Sequence, residues 1–134
     1  MSDPSFELQR AIVAALKAPG ALPEIVGGRV YDAVPSDAPF PYVTIGPCQV
    51  LPDKADCYDG AAVYPQVDVW SRAVGFPECK RIGTAVVAAL DEQELVIAGH
   101  RTILFDHQGT NYLRDPDGKT SHAVITFHGL ICPV

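Results

Sequence analysis

The sequence is poor in basic residues and has no basic cluster. Its 134 residues include ten Lys and Arg against sixteen Asp and Glu, which gives a formal charge of −6 and a pI near 5.0. A protein that holds nucleic acid by its phosphates needs a basic face, and an anionic membrane attracts one for the same reason. The charge therefore argues against a nucleic-acid-binding module and against a membrane-bound protein.

The sequence also lacks a long apolar run and a basic leader. No uninterrupted apolar stretch approaches the ~20 residues that cross a bilayer. The first residues include Asp3, whereas a secretion signal begins with basic residues. We therefore expect a protein made for the cytosol.

The four cysteines contain no C-x-x-C pair. They are Cys48, Cys57, Cys79 and Cys132, and without a secretion signal we expect reduced, mostly buried thiols.

Catalytic and metal-binding motifs are missing as well. Gly118-Lys119-Thr120 ends like a phosphate loop, but that loop needs a glycine where Leu113 stands and must open a helix. His122 and His128 are six residues apart on a predicted strand, about 20 Å, so they cannot share one metal ion. We predict no catalytic, cofactor-binding or metal-binding residue. A small enzyme or ligand-binding domain that uses a Cys–His pair formed on folding stays an alternative.

What the sequence does have is a low charge content and strong hydrophobic patterns. Charged residues make up 19% and hydrophobic residues 48%, with a mean hydropathy of +0.12. A small domain this apolar has apolar surface left over, which favours an oligomer or an obligate partner interface. We expect one domain over residues 1–134.

Helical patterns occur twice. Asp3 and Pro4 open an amphipathic helix whose apolar positions include Phe6, Leu8 and Leu16, and Pro19-Gly20 ends it. A short helical turn over residues 22–26 precedes Gly27-Gly28. Gly75-Phe76-Pro77 starts the second helix, which closes at residues 91–94.

Strand patterns fill the rest. We expect strands over residues 41–46, 62–72, 95–97, 101–107 and 121–132, with 111–114 joined to the last by an Asp115-Pro116-Asp117-Gly118 turn. Residues 47–60 read as a long loop or a flexible hairpin arm. This order predicts an α+β fold with two helices packed on one face of a mostly antiparallel β-sheet.

Two segments resemble a known family. Residues 28–35 and 38–46 are similar to the opening signature of a family of small tailed-phage proteins, and residues 67–72 with the following helix resemble its second signature. Residues 125–127 match its closing strand. The family includes tail terminator, or tail completion, proteins of siphophages and gene transfer agents.

The resemblance implies a structural role and a ring-forming fold. Such proteins form a six-membered ring on the head-proximal end of a finished tail tube, end its polymerisation and join it to the head-side neck or stopper protein. DNA passes through the lumen without sequence-specific binding. Another neck component, a head-tail stopper or adaptor, is the nearest alternative, and the particle is a phage, a prophage remnant or a gene transfer agent.

For protein contacts the sequence offers two exposed segments and one strand face. Residues 47–60 form the first segment, the 115–118 turn the second, and the outer face of the 62–72 strand adds two aromatic residues. The candidate interface residues are Asp53, Lys54, Asp56, Tyr58, Asp59, Tyr64, Trp70, Arg114, Asp115, Asp117 and Lys119.

Overall fold

A computed structural model describes residues 3–55 and 58–134. In chain order its elements are α1 (Ser5–Lys17), α2 (Ala21–Val26), β1 (Val30–Tyr31), β2 (Tyr42–Asp53), β3 (Gly60–Ser71), α3 (Pro77–Leu90), β4 (His100–Arg114) and β5 (Ser121–Pro133). The strands form one sheet in the order β1-β2-β3-β5-β4. Only β1 and β2 pair in parallel, and the other neighbours are antiparallel. The predicted α+β class and the mostly antiparallel sheet are confirmed.

The helices lie against one face of the sheet. Strands β3 and β5 alternate buried and half-buried residues, as expected for a sheet with one covered face. The core joins that face to the apolar stripes of the three helices. Its largest fully buried side chains are Phe105, Phe127, Leu8, Leu16, Ile82, Leu90, Ile125, Ile131, Val26, Val43, Val63 and Val67. None of the helices formed by the described residues is long and apolar enough to cross a bilayer.

Helix α1 begins one residue later than the sequence suggested. Pro4 occupies the N-cap position, and the carboxylate of Asp3 accepts the Ser5 amide at 2.9 Å. The expectation that Phe6 belongs to the buried stripe is wrong, because its side chain is 69% exposed while Leu8 and Ala11 face the core. The short helical turn expected over residues 22–26 is confirmed as α2, so three helices of the described residues pack on the sheet and not the two expected.

The expected loop over residues 47–60 is largely strand. Strand β2 continues to Asp53 and pairs with β3 from Tyr42↔Trp70 to Asp53↔Gly60, so the hairpin arm consists of two long strands. Pro47 and Pro52 do not stop β2, because β1 pairs only with its first residues and the rest of the strand is a sheet edge, where proline is tolerated. A register shift between Ile45 and Cys48 marks a bulge.

Two predicted strands at the end of the chain differ from the structure. Residues 95–97 are not a strand, although Leu95 and Ile97 are buried. The segments 101–107 and 111–114 are one fifteen-residue strand, β4, which keeps its pairing with β5 through two register shifts. The predicted hairpin between β4 and β5 is confirmed.

The cysteines do not share one state. Cys79 is a buried free thiol and Cys48 an exposed one, whereas Cys132 is disulfide-bonded, which corrects the expectation of a reduced thiol there. Cys57 lies outside the described residues.

Candidate interaction surfaces

The two predicted contact segments lie at opposite ends of the sheet. Gly60 of β3 adjoins the turn of the β2–β3 hairpin, whereas Ser71, at the other end of the same strand, pairs with Ser121 beside the β4–β5 turn. Eleven residue steps at about 3.3 Å each separate these ends by about 36 Å. The two predicted contact segments therefore lie too far apart to form one site within a subunit.

The end of the β2–β3 hairpin is apolar and acidic. Tyr58 is 84% exposed and Leu51 is 42% exposed. Asp53 accepts the Ala55 amide at 3.0 Å, which orders the start of the turn. Asp59 has a positive φ of 60°.

Two further predicted residues belong to this hairpin end. Lys54 is exposed, and Asp56 lies outside the described residues.

The β4–β5 turn is held by its own side chains. Asp117 accepts three hydrogen bonds, from the Lys119 amide at 2.8 Å, the Thr120 amide at 2.9 Å and the Thr120 hydroxyl at 2.7 Å. Chiefly the bonds from the Thr120 and Lys119 amides lower the pKa of Asp117 to about 2. Gly118 supplies the positive φ of 72° that the turn requires. These hydrogen bonds and the Gly118 backbone angle define the conformation of the turn.

Arginines connect the turn to the rest of the subunit. The Arg72 side chain donates from Nε to Thr120 Oγ1 at 3.1 Å, and its guanidinium lies 4.3 Å from the Phe40 ring centroid. Arg114 lies 4.4 Å from the ring centroid of Phe76, just before α3. Each contact fixes a guanidinium against an aromatic face.

Asp115 is the remaining candidate residue of the turn. Asp115 lies 3.9 Å from His122 Nδ1.

The outer face of the sheet is covered by none of the described helices and carries two aromatic stacks. The Trp70 ring stacks on His122 with centroids 3.8 Å apart, and Tyr64 stacks on His128 at 5.0 Å. Trp70 donates from Nε1 to Thr44 Oγ1 at 3.0 Å. The predicted pair Tyr64 and Trp70 is thus half-buried, and each ring packs against a histidine of the same chain.

A buried carboxylate that was not expected from the sequence supports this face. Asp68 is only 7% exposed and lies 3.2 Å from His122 Nε2, while Gln66 donates to it at 2.9 Å. The alternation of β3 places Asp68 on the outer face with Trp70. That periodicity was the one signal that could have drawn attention to it.

The two free thiols are unsuited to nucleophilic catalysis. Desolvation raises the pKa of Cys79 to about 11, and it also raises the pKa of Cys48. Both are therefore protonated at neutral pH, when an active cysteine must be a thiolate. The Cys48 thiol donates to the Gln49 carbonyl at 3.8 Å and also interacts with the Tyr64 backbone, and no hydrogen bond among the described residues joins either free thiol to a histidine.

Sites for other ligands are limited in the described part of the chain. No group of three or more His, Cys, Asp or Glu residues in it is arranged to hold a metal ion. A cavity of about 140 Å³ lies between α1 and β2, with Phe6, Ile12, Ile45 and Cys48 among its lining residues.

Comparison with known proteins gives a consistent result. The family model "Tail completion protein gp17" matches residues 10–131. Tail completion protein gp17 of Bacillus phage SPP1 is 28% identical over 121 residues, covering 90% of this chain and 89% of its own.

Two solved structures share the fold. A chain from the virion of a native gene transfer agent particle superposes with a TM-score of 0.88 at 28% identity, covering 98% of this chain and 99% of its own. The structure of the bacteriophage SPP1 gp17 protein gives a TM-score of 0.62 at 28% identity, with 93% and 88% covered.

Proposed function

The chain belongs to the tail completion protein gp17 family, and from that premise we propose that it is the tail terminator of a phage-like particle. Members of this family are structural proteins and not enzymes. In the proposed role, six copies form a ring at the head-proximal end of the tail tube. The ring ends tube polymerisation and joins the tail to the head-side neck.

The observation that carries the proposal is the structural likeness to a gene transfer agent virion chain. The likeness spans nearly the whole of both chains, so it includes the protruding hairpins as well as the core. A shared fold over the whole length of a particle component supports a role for this chain in the same kind of assembly.

The separation of the two hairpin ends supports a joining role. One end presents Tyr58 and Leu51 beside Asp53, and the other presents the turn around Asp117. Because these ends are about 36 Å apart along the strands, one copy can contact a tail tube protein with one end and a neck protein with the other.

The charge of the chain suits DNA passage. A ring of copies that each carry −6 repels the duplex that it surrounds, and this keeps DNA from adhering to the lumen.

The test is electron microscopy of particles from cells that lack this chain, with the wild-type gene supplied separately as the control. We expect filled heads without tails beside free tails of abnormal length, and complete particles once the chain is restored. Complete particles of normal length in the deletion strain would refute the proposal.

The same strain separates a terminator from a head-side stopper. Free tails and tail-less heads are purified from it and each is mixed with the purified chain. Binding to tails and not to heads supports the terminator, whereas the reverse assigns the chain to the head side of the neck.

A further inference from the structure

Charges of opposite sign lie at the two ends of helix α3. A basic surface lies beside its first turns and consists of Lys80, Arg81 and Arg114. The Phe76 ring holds two of these cations in place, since the Arg114 guanidinium lies 4.4 Å and the Lys80 ammonium 5.5 Å from its centroid. All three cations are exposed.

Apolar side chains adjoin the basic surface. An open groove of about 460 Å³ runs between α2 and α3, with Lys80 and Arg81 among its lining residues and Ile25 and Ala85 as apolar walls. The basic surface therefore combines positive charge with an apolar groove.

An acidic surface lies beyond the other end of α3. It consists of Glu92, Glu94 and Asp106, all exposed, which line an open cleft of about 350 Å³. The cleft also includes Ile103, whose side chain is 47% exposed. Both surfaces thus combine charged and apolar side chains, and their charges are opposite in sign.

None of these six charged side chains has an ionic partner among residues 3–55 and 58–134. Lys80 and Arg81 lie in the N-terminal half of α3 and Glu92 and Glu94 just beyond its C-terminal end, which is the reverse of the order that favours a helix, whereas Glu78 in the first turn has the favourable sign. Within the described part of the subunit, Lys80 and Arg114 contact aromatic rings, but none of the three cations is paired with a carboxylate and none of the three anions with a cation. Features that break a local rule in this way tend to mark functional sites.

We propose that copies of this chain contact each other head to tail, with the basic surface of one copy against the acidic surface of the next. The fourteen residues of α3 separate the two surfaces by about 20 Å, so each copy can contact two neighbours at once. A contact between two different surfaces repeats from copy to copy and closes when the rotation allows. The inference rests on the proposed ring for the number of copies and adds the surfaces that join them.

A second copy fits the basic surface better than DNA does. Three cations neutralise few phosphates, and the net charge of −6 repels a duplex at longer range. The acidic surface of a second copy brings three matching charges and an apolar cleft.

Charge reversal tests the contact. Self-association of the purified full chain is measured by sedimentation velocity up to about millimolar concentration, with salt raised from about 0.1 M to about 1 M. We expect the wild type to associate and salt to weaken that association, because the screening length falls from about 10 Å to about 3 Å. The variants K80E/R81E and E92K/E94K should each bind themselves at least tenfold more weakly, since like charges then face each other.

The decisive part of the experiment restores complementary charges. An equimolar mixture of the two variants, and a single chain that carries all four substitutions, should both associate again. The charge-matched control R10E/K17E changes two exposed cations of α1 and should associate like the wild type. Since all of these positions are exposed, thermal unfolding should show that every variant folds.

Four results would each overturn the inference. They are a wild type that stays monomeric throughout, variants that associate like the wild type, a mixture that fails to associate, and duplex DNA that binds the wild type but not K80E/R81E. The particle phenotype of the deletion strain is scored separately. A normal self-contact with a normal deletion phenotype would therefore refute the ring function and not the contact.

Discussion

Replacing Gly129 with alanine should destabilise the sheet, because the core leaves no room for a methyl group there. Gly129 lies on the covered face of β5. A Cβ at this position would lie 2.9 Å from Phe105 Cδ2 and 2.9 Å from Val63 Cγ2, and both neighbours are buried side chains.

The magnitude follows from these two contacts. With a well depth of about 0.15 kcal/mol at about 3.8 Å, a carbon pair at 2.9 Å costs about 2 kcal/mol, so the unrelaxed structure would lose about 4–5 kcal/mol. Side-chain shifts relieve part of this loss, and overpacked cores typically lose about 1–3 kcal/mol. We expect Gly129→Ala to lower the free energy of unfolding by that amount, and the midpoint temperature by roughly 4 °C per kcal/mol.

Urea unfolding followed by circular dichroism measures the change. Gly109→Ala is the matched control on neighbouring β4, because a Cβ added there would meet nothing within 4 Å, and it should change stability by no more than about 0.5 kcal/mol. Val63→Ala removes one of the two close atoms. The loss in the double variant G129A/V63A should therefore be smaller than the sum of the two single losses.

The steric reasoning is refuted if Gly129→Ala is as stable as the wild type while Gly109→Ala behaves as expected. Additive losses in the double variant would also contradict it, because Val63 would then not be the neighbour that resists the new methyl group.

Three further predictions concern single side chains. The pKa of Asp117 is lowered from 3.8 to about 2, so this carboxylate contributes stability that is present above pH 4 and lost as the pH falls through about 2. The thermal midpoint of Asp117→Asn should therefore depend less on pH across that window. Cys48 should react with a thiol reagent in the native protein, and Cys79 only on unfolding, as counted by mass spectrometry. Trp70→Phe should lose the bond to Thr44 and about 1 kcal/mol in urea titrations, and an unchanged midpoint would contradict that role.

The elements with strong local signals were predictable from the sequence. Helix α3 begins at Pro77, where the Gly75-Phe76-Pro77 signal placed it, and the Asp115–Gly118 turn joins β4 to β5 as expected. In each case the deciding residue sets its own backbone angle, so tertiary context had little to change.

The elements that depend on neighbouring strands and helices were not predictable from the sequence. Residues 47–53 resemble a loop because of Pro47 and Pro52, and only the pairing with β3 makes them strand. Phe6 fits a helical stripe by spacing, yet the direction in which α1 faces the sheet leaves it exposed. The charged surfaces near α3 show the same limit, since the positions of Lys80 and Glu92 along the chain can be read from the sequence, but the position of Arg114 beside Phe76 depends on how β4 packs.

The exposed edge of β2 has a consequence for newly made copies that wait to be assembled. An uncovered strand is a template for aggregation when its backbone groups are free to pair. Beyond Val43 and Thr44 no described strand covers this edge, but Pro47 and Pro52 have no N–H to donate and a bulge interrupts the strand between Ile45 and Cys48. A foreign strand therefore meets an interrupted row of backbone donors along this edge, which disfavours pairing between two copies through β2.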